Sequence, residues 1–303
     1  MKKTNSEDFK NFKLVRQNFL TTEKLATKPI NRSREFYLAI IANRFALAGI
    51  IIFGLLILLS LIFPLIWTDA NLLKPEQQHY GFFKNGYIFG TDGQGRDVWA
   101  MLWHATRYSL GLAFVVVIVD LIVGVTLGLL MGYYRKVDKI LQFIIKILTN
   151  IPSILILIIV ATALQPTFWT MALGLTLTAW INMSLQVRAQ VLKNKQLDYF
   201  VASKILGTPW YQQLINFIPV ALPIIITGLV ATIPIAIISE ASLGFIGLSV
   251  PDAITLGNMI NKARLTALVY PRQIIVPVIT LMVITIAIQL IGNGIQDIIR
   301  KSQ

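Results

Sequence analysis

Long apolar runs separated by charged clusters set the rhythm of this chain. Between Arg44 and Asp69 runs FALAGIIIFGLLILLSLIFPLIWT without a single charge. A helix that crosses a bilayer needs about 20 mostly apolar residues. Reading from one charge to the next predicts spans at about 45–67, 109–134, 143–164, 168–187, 217–239 and 273–295. The second contains one acid, Asp120, and the third and fourth are separated by the turn signal Gln165-Pro166-Thr167. The pattern therefore predicts an all-α membrane protein with six transmembrane helices over residues 45–298. An even number of crossings puts both termini on one side.

Composition agrees with lipid as the solvent. The chain has 303 residues, 55% apolar and only 14% charged, where soluble domains carry about 25% charged residues. Its net charge of +13 raises the question of nucleic acid, and the distribution of charge answers it. Of the 27 Lys and Arg, 20 fall in the amino-terminal segment, residues 135–146, residues 188–216 and the tail, and seven in the opposite loops. Lys and Arg that flank spans stay inside, so the excess reads as topology: a multi-pass protein of the cell (plasma or inner) membrane, both ends cytoplasmic. No nucleic-acid partner is expected, because the basic residues lack the interleaved aromatics that single strands stack on.

Three stretches outside the spans carry information. Residues 1–44 are Lys-rich, contain no signal-peptide core, and end in REFYLAIIANRF, an amphipathic helix expected on the inner membrane surface. External loops are expected from Thr68 to about Arg107 and from Glu240 to Arg272. The third is the cytoplasmic loop 188–216.

Reactive chemistry is scarce. The chain has no Cys, its two His (His79 and His104) stand apart, and it lacks GxSxG, HExxH and GxxxxGK[ST]. No catalytic residue, cofactor or metal site is expected. GTDGQGRD, Gly90 to Asp97, resembles a phosphate cradle but has no following Lys; Gly90, Thr91, Asp92 and Gly95 read as tight turns, with Arg96 bridging Asp92 and Asp97. Asp120 is either a pathway residue or an acceptor for neighbouring helices. Gly124, Gly128 and Gly132 clear one helical face for a close neighbour, within the chain or on a partner. Pro152, Pro223, Pro234 and Pro277 mark kinks or flexible points. An ion channel needs a carbonyl filter or a charged ring, and an intramembrane enzyme a nucleophile with its base; neither pattern is present.

One polar segment interrupts the second half of the chain. In KQLDYFVASKIL, Leu197, Phe200, Val201 and Ile205 recur at helical spacing and predict one apolar face, with Lys195, Asp198 and Lys204 away from it. Asp198 opens the helix and Gly207 closes it. Such a helix either folds back on its own bundle or docks in a partner's groove.

The segments VRAQVL, LDYFVASKILGTPW and FIPVALP together resemble the cytoplasmic loop of the permeases of binding-protein-dependent ABC importers. FGTDGQGRDVW, IPSILILIIV, TAWINMSLQVRAQVL and EASLGFIGLSVP with LGNMI resemble further segments of the C-type subunit of oligopeptide, dipeptide and nickel importers, over roughly residues 34–298. The resemblance implies the type I ABC importer permease fold and an oligopeptide importer, with dipeptide or nickel as alternatives. It implies a second, homologous permease, two ATP-binding subunits that hold ATP and Mg, and an extracellular substrate-binding protein as partners. It makes 196–210 a coupling helix, with Leu197, Tyr199, Phe200, Val201, Ala202, Ser203, Lys204, Leu206 and Gly207 facing the ATPase. External placement makes Gly90, Thr91, Asp92, Gly95, Arg96, Asp97, Glu240 and Phe245 the expected sites of binding-protein docking or outer gating. Val201 stands where the family's Glu is usual, Ser203 replaces an Ala, Leu185 takes a position often Arg, and the interval from Gly207 to Pro219 is one residue shorter.

Overall fold

Asn43 starts the first long helix: its side chain accepts from the N–H of Phe45 and Ala46 at 3.1 and 3.2 Å, taking up donors the first turn leaves open. The computed structural model describes residues 39–251 and 253–302, and from Ile40 onward the chain forms one unit. Most of the interfacial helix expected before residue 44 lies outside the described residues. The elements are α1 (Arg44–Ile66), α2 (Val98–Tyr133), α3 (Arg135–Thr149), α4 (Ser153–Ala163), α5 (Phe168–Asn194), α6 (Asp198–Ile205), α7 (Trp210–Ile246), α8 (Leu256–Arg264) and α9 (Arg272–Ser302).

The helices run past the limits that charges suggest. α2 begins at Val98, eleven residues before the expected start at 109, because the Asp97 side chain caps it by accepting from the N–H of Trp99; His104 and Arg107 therefore lie on the helix. Glu240 is part of α7 rather than of a loop; α7 continues to Ile246 and stops at Gly247, whose φ of +94° suits glycine. The expected third span, 143–164, is not one helix. It divides into α3 and α4, bent by 82°, since Pro152 removes a backbone donor at the break. Among the described residues α1, α2, α7 and α9 are long and apolar enough to cross a membrane, and the bent pair α3–α4 makes a fifth if it is counted as one broken span. α5 is as long at 27 residues but more polar, with Gln186, Arg188 and Gln190 near its end.

Small residues hold the bundle together. A Cβ on Gly124, Gly128 or Gly132 would lie 2.7, 2.7 and 2.4 Å from Met183, Val187 and Val191, respectively. The glycine face of α2 thus seats α5, an intramolecular neighbour, at the close approach that membrane helices use for dispersion contact. α1 and α9 pair antiparallel in the same way, with Gly49 against Ala287 and Gly294 against Ala46.

Candidate functional site

α6 hangs from the bundle by one side chain. α5 ends at Asn194, a turn follows, and Leu197 leads into α6 in extended backbone. Asp198 in the first turn and Lys204 in the last suit the helix dipole. Gly207, at φ +76°, closes the helix, and Pro209 precedes α7. Phe200 is buried, its ring 4.7 Å from that of Phe217, in a cluster with Leu129 of α2, Val187 and Val191 of α5 and Leu214 of α7. Leu197, Tyr199, Val201, Ala202, Lys204, Leu206 and Gly207 are exposed, Ser203 half-buried, and Ile205 and Leu206 are 80% and 84% exposed. The expected single face of Leu197, Phe200, Val201 and Ile205 is therefore divided. Leu197 precedes the helix, Phe200 faces inward, and Val201 and Ile205 face outward. Beside α6, Lys195 donates to Tyr133 O at 2.8 Å, and burial together with the charge of Lys204 lowers its ammonium below the ordinary value. Val201, Ile205 and Leu206 thus leave an apolar patch open on so short a helix.

At the opposite end, the segment before α2 is tied into a rigid knot. Asp92 Oδ1 accepts from the N–H of Gln94 and Arg96 at 2.8 and 2.9 Å, and its Oδ2 accepts from Arg96 Nε and Nη2 at 2.8 and 2.6 Å. Arg96 does not bridge to Asp97. Asp97 instead accepts from the N–H of Trp99 at 2.9 Å and caps α2. Burial pushes its carboxyl above the ordinary range, against the pull of the Trp99 and Ala100 N–H groups and of Lys74. Thr91 is fully buried; its hydroxyl accepts from Tyr80 N–H at 2.8 Å and donates to Gln77 O, and its carbonyl accepts from Gln273 Nε2 of α9 at 3.0 Å. Gly90 and Gly95 have φ of +74° and +75°, and a Cβ on Gly95 would strike Lys74 O. Between this knot and α8 opens a cleft of about 470 Å³ that reaches Arg96, Asn258 and Lys262.

Two buried acids fasten α2 to α7. Ser109 Oγ donates to Glu240 Oε2 at 2.8 Å. Thr232 Oγ1 donates to Asp120 Oδ2 at 2.5 Å, and Asp120 Oδ1 has no partner in the structure. Asp120 opens a π-helical turn, Asp120–Gly124, that widens α2 where α5 and α7 meet it. Phe245, exposed on the last turn of α7, lies under the Arg264 guanidinium at 5.5 Å. Asp92, Arg96 and Asp97 come together; Asp120 and Glu240 lie deeper, and α6 belongs to the other end. Thr232 and Ser109 carry no motif, and their partnerships span 112 and 131 positions, so no local signal marks them; Phe217 opens FIPVALP, but nothing in that segment singles it out as the partner of Phe200.

Residues 124–303 match the family described as "Binding-protein-dependent transport system inner membrane component". The chain belongs to that family. Three relatives extend the likeness. The oligopeptide transport system permease protein OppC of Bacillus subtilis is 30% identical over 286 residues, 91% of each chain. The dipeptide transport system permease protein DppC of Lactococcus lactis subsp. cremoris is 34% identical over 217 residues, 71% of this chain and 63% of its own. DppC of Bacillus subtilis is 31% identical over 269 residues, 84% of this chain and 81% of its own. This inner-membrane component is thus a multi-pass permease subunit of the ABC importer type, a transport protein rather than an enzyme. α6, Glu240 and Phe245 fall inside the matched family segment; Gly90–Asp97 and Asp120 precede it.

Proposed function

We propose that this permease imports oligopeptides, with dipeptides as the nearest alternative, in a complex with a second permease, two ATP-binding subunits that hold ATP and Mg, and an external binding protein. The chain crosses the membrane six times, the α6 end faces the cytoplasm, and the Gly90–Asp97 knot with Phe245 faces the binding protein. Supporting the orientation is the crowding of Lys and Arg at the α6 end. Supporting the substrate are the relatives named for oligopeptide and dipeptide transport, the oligopeptide one covering the larger share of the chain.

α6 is the coupling element. The observation that carries this role is its division of labour: Phe200 anchors it against Phe217 in a core cluster built from α2, α5 and α7, while Tyr199, Val201, Ile205 and Leu206 remain open to a partner. A short packed helix transmits a displacement that a free loop would absorb in backbone motion. Ala202→Pro removes an N–H within the helix and is expected to abolish ATP-driven peptide uptake by reconstituted vesicles, while the chain still inserts in the membrane. Uptake at the wild-type rate would refute coupling through α6.

A further inference from the structure

The bend between α3 and α4 is open on the outside of the chain. Thr149, Asn150, Ile151 and Pro152 are all exposed, and no side chain caps the start of α4. Its depth follows from α5. Below the break, Arg188 Nη2 of α5 donates to Asp138 Oδ2 of α3 at 2.8 Å. Above it, Leu157 and Val160 of α4 lie against Gly174 of α5. From Arg188 to Gly174 α5 climbs about 21 Å, and Ile145, just before the break, shares a core cluster with Ile181, midway along that climb. Taken as one bent span, α3 and α4 put the break near the middle of a hydrocarbon layer about 30 Å thick.

Lipid is a poor neighbour for it. Open backbone facing hydrocarbon costs several kcal/mol per unsatisfied group, and non-helical backbone at membrane depth persists where protein or water covers it. One turn before the break stands Lys146, exposed and outside both ion pairs found among the described residues. Arg135, Lys139 and Lys146 recur at helical spacing along one exposed arc of α3, a basic stripe that climbs from the α6 end to the break. A cation at mid-depth faces water or an anion rather than acyl chains.

We propose that the break and this stripe line the water-filled path completed by the second permease, and that Lys146 meets the C-terminal carboxylate of the peptide in transit. Thr149, Asn150 and the open backbone offer hydrogen bonds to the peptide's own amides. The inference rests on the peptide-importer reading. An exposed cation binds a carboxylate weakly, which suits a path that must release what it holds.

The chain lacks cysteine, so Asn150→Cys gives it a single thiol in a complete importer built with cysteine-free partners. A charged, water-soluble maleimide is expected to label it, with excess peptide slowing the reaction, while Ile159→Cys, on the exposed side of α4, stays unlabelled. Reaction with a lipid-soluble maleimide alone, or with neither reagent, overturns the proposal in favour of a lipid or a protein neighbour. In the second arm Lys146→Gln lowers uptake of a free-carboxylate peptide by about threefold relative to its C-terminal amide, the scale of one exposed ion pair, and Lys146→Arg restores it. An equal fall for both peptides overturns the carboxylate contact. A wild-type importer that takes up no peptide would sink the peptide reading itself, and maleimide access would still decide whether the break lines a path.

Discussion

Phe200→Ala isolates the attachment of α6. The phenyl ring is 4% exposed and packs between α5 and α7 against Phe217. Removing such a ring from a closed core costs about 3–5 kcal/mol. Near the end of the bundle the gap partly collapses, so the lower figure applies, about 3 kcal/mol, or roughly a hundredfold rise in the undocked form. α6 has eight residues, fewer than the ~12–15 a helix needs to persist alone in water, so undocking means unfolding. Its backbone N–H groups then exchange with solvent in proportion to the undocked population. Hydrogen exchange followed by mass spectrometry on the intact complex in lipid nanodiscs should show residues 198–206 exchanging up to a hundredfold faster, with Phe200→Leu close to wild type. A change below about threefold would show that the ring does not hold the helix, and the argument from Phe200 would fall.

Three further outcomes follow from the packing. Gly128→Val places a Cβ 2.7 Å from both Ser184 O and Val187 Cβ; the α2–α5 contact must open at about 1–3 kcal/mol, and a thermal midpoint unchanged in the purified complex would contradict it. Thr232→Val takes from Asp120 its hydrogen bond at 2.5 Å and should destabilise the chain by about 1–3 kcal/mol, read by the same melt. Arg96→Ala strips Asp92 of two donors and should loosen residues 74–97, raising their protease sensitivity and lowering uptake; wild-type behaviour on both measures removes Arg96 from the docking surface.

Much of this architecture is legible because lipid simplifies the code. The run from Ala46 to Trp67 has no charge and folds as one helix, and the glycine spacing in α2 announces a close neighbour. What periodicity cannot supply is the neighbour's identity: Met183, Val187 and Val191 follow Gly124, Gly128 and Gly132 by some sixty positions, and only the fold brings them into register. Charges mislead at helix ends. His104 and Arg107 lie within α2 and Arg188 within α5, so a reading from charge to charge stops short of the helix ends. α6 shows a subtler limit, since the spacing of Leu197, Phe200, Val201 and Ile205 is helical but one of them precedes the helix and another turns inward. The break at Pro152 was signalled by a proline, whereas the bend of 82° depends on what α3 and α4 each pack against.

The attachment of α6 also determines where a push would go. Phe200 meets Phe217 of α7 in a cluster that also holds Leu129 of α2, Val187 and Val191 of α5 and Leu214 of α7, so force on α6 would enter through α7 and spread to α2 and α5. They do not yield alike. α2 and α5 meet through glycines with no room for a methyl group between them, a contact that slides little because any shift produces overlap. α7 contains Pro219, Pro223 and Pro234, each removing a backbone hydrogen bond and easing a bend. Under the proposed coupling α2 and α5 would move as one rod while α7 flexes, with the hydrogen bonds from Ser109 to Glu240 and from Thr232 to Asp120 tying the upper length of α7 to that rod. A displacement at α6 is then expressed as bending in α7 between Phe217 and Thr232, and a spin-label pair spanning that interval should change distance during turnover while a pair between α2 and α5 does not.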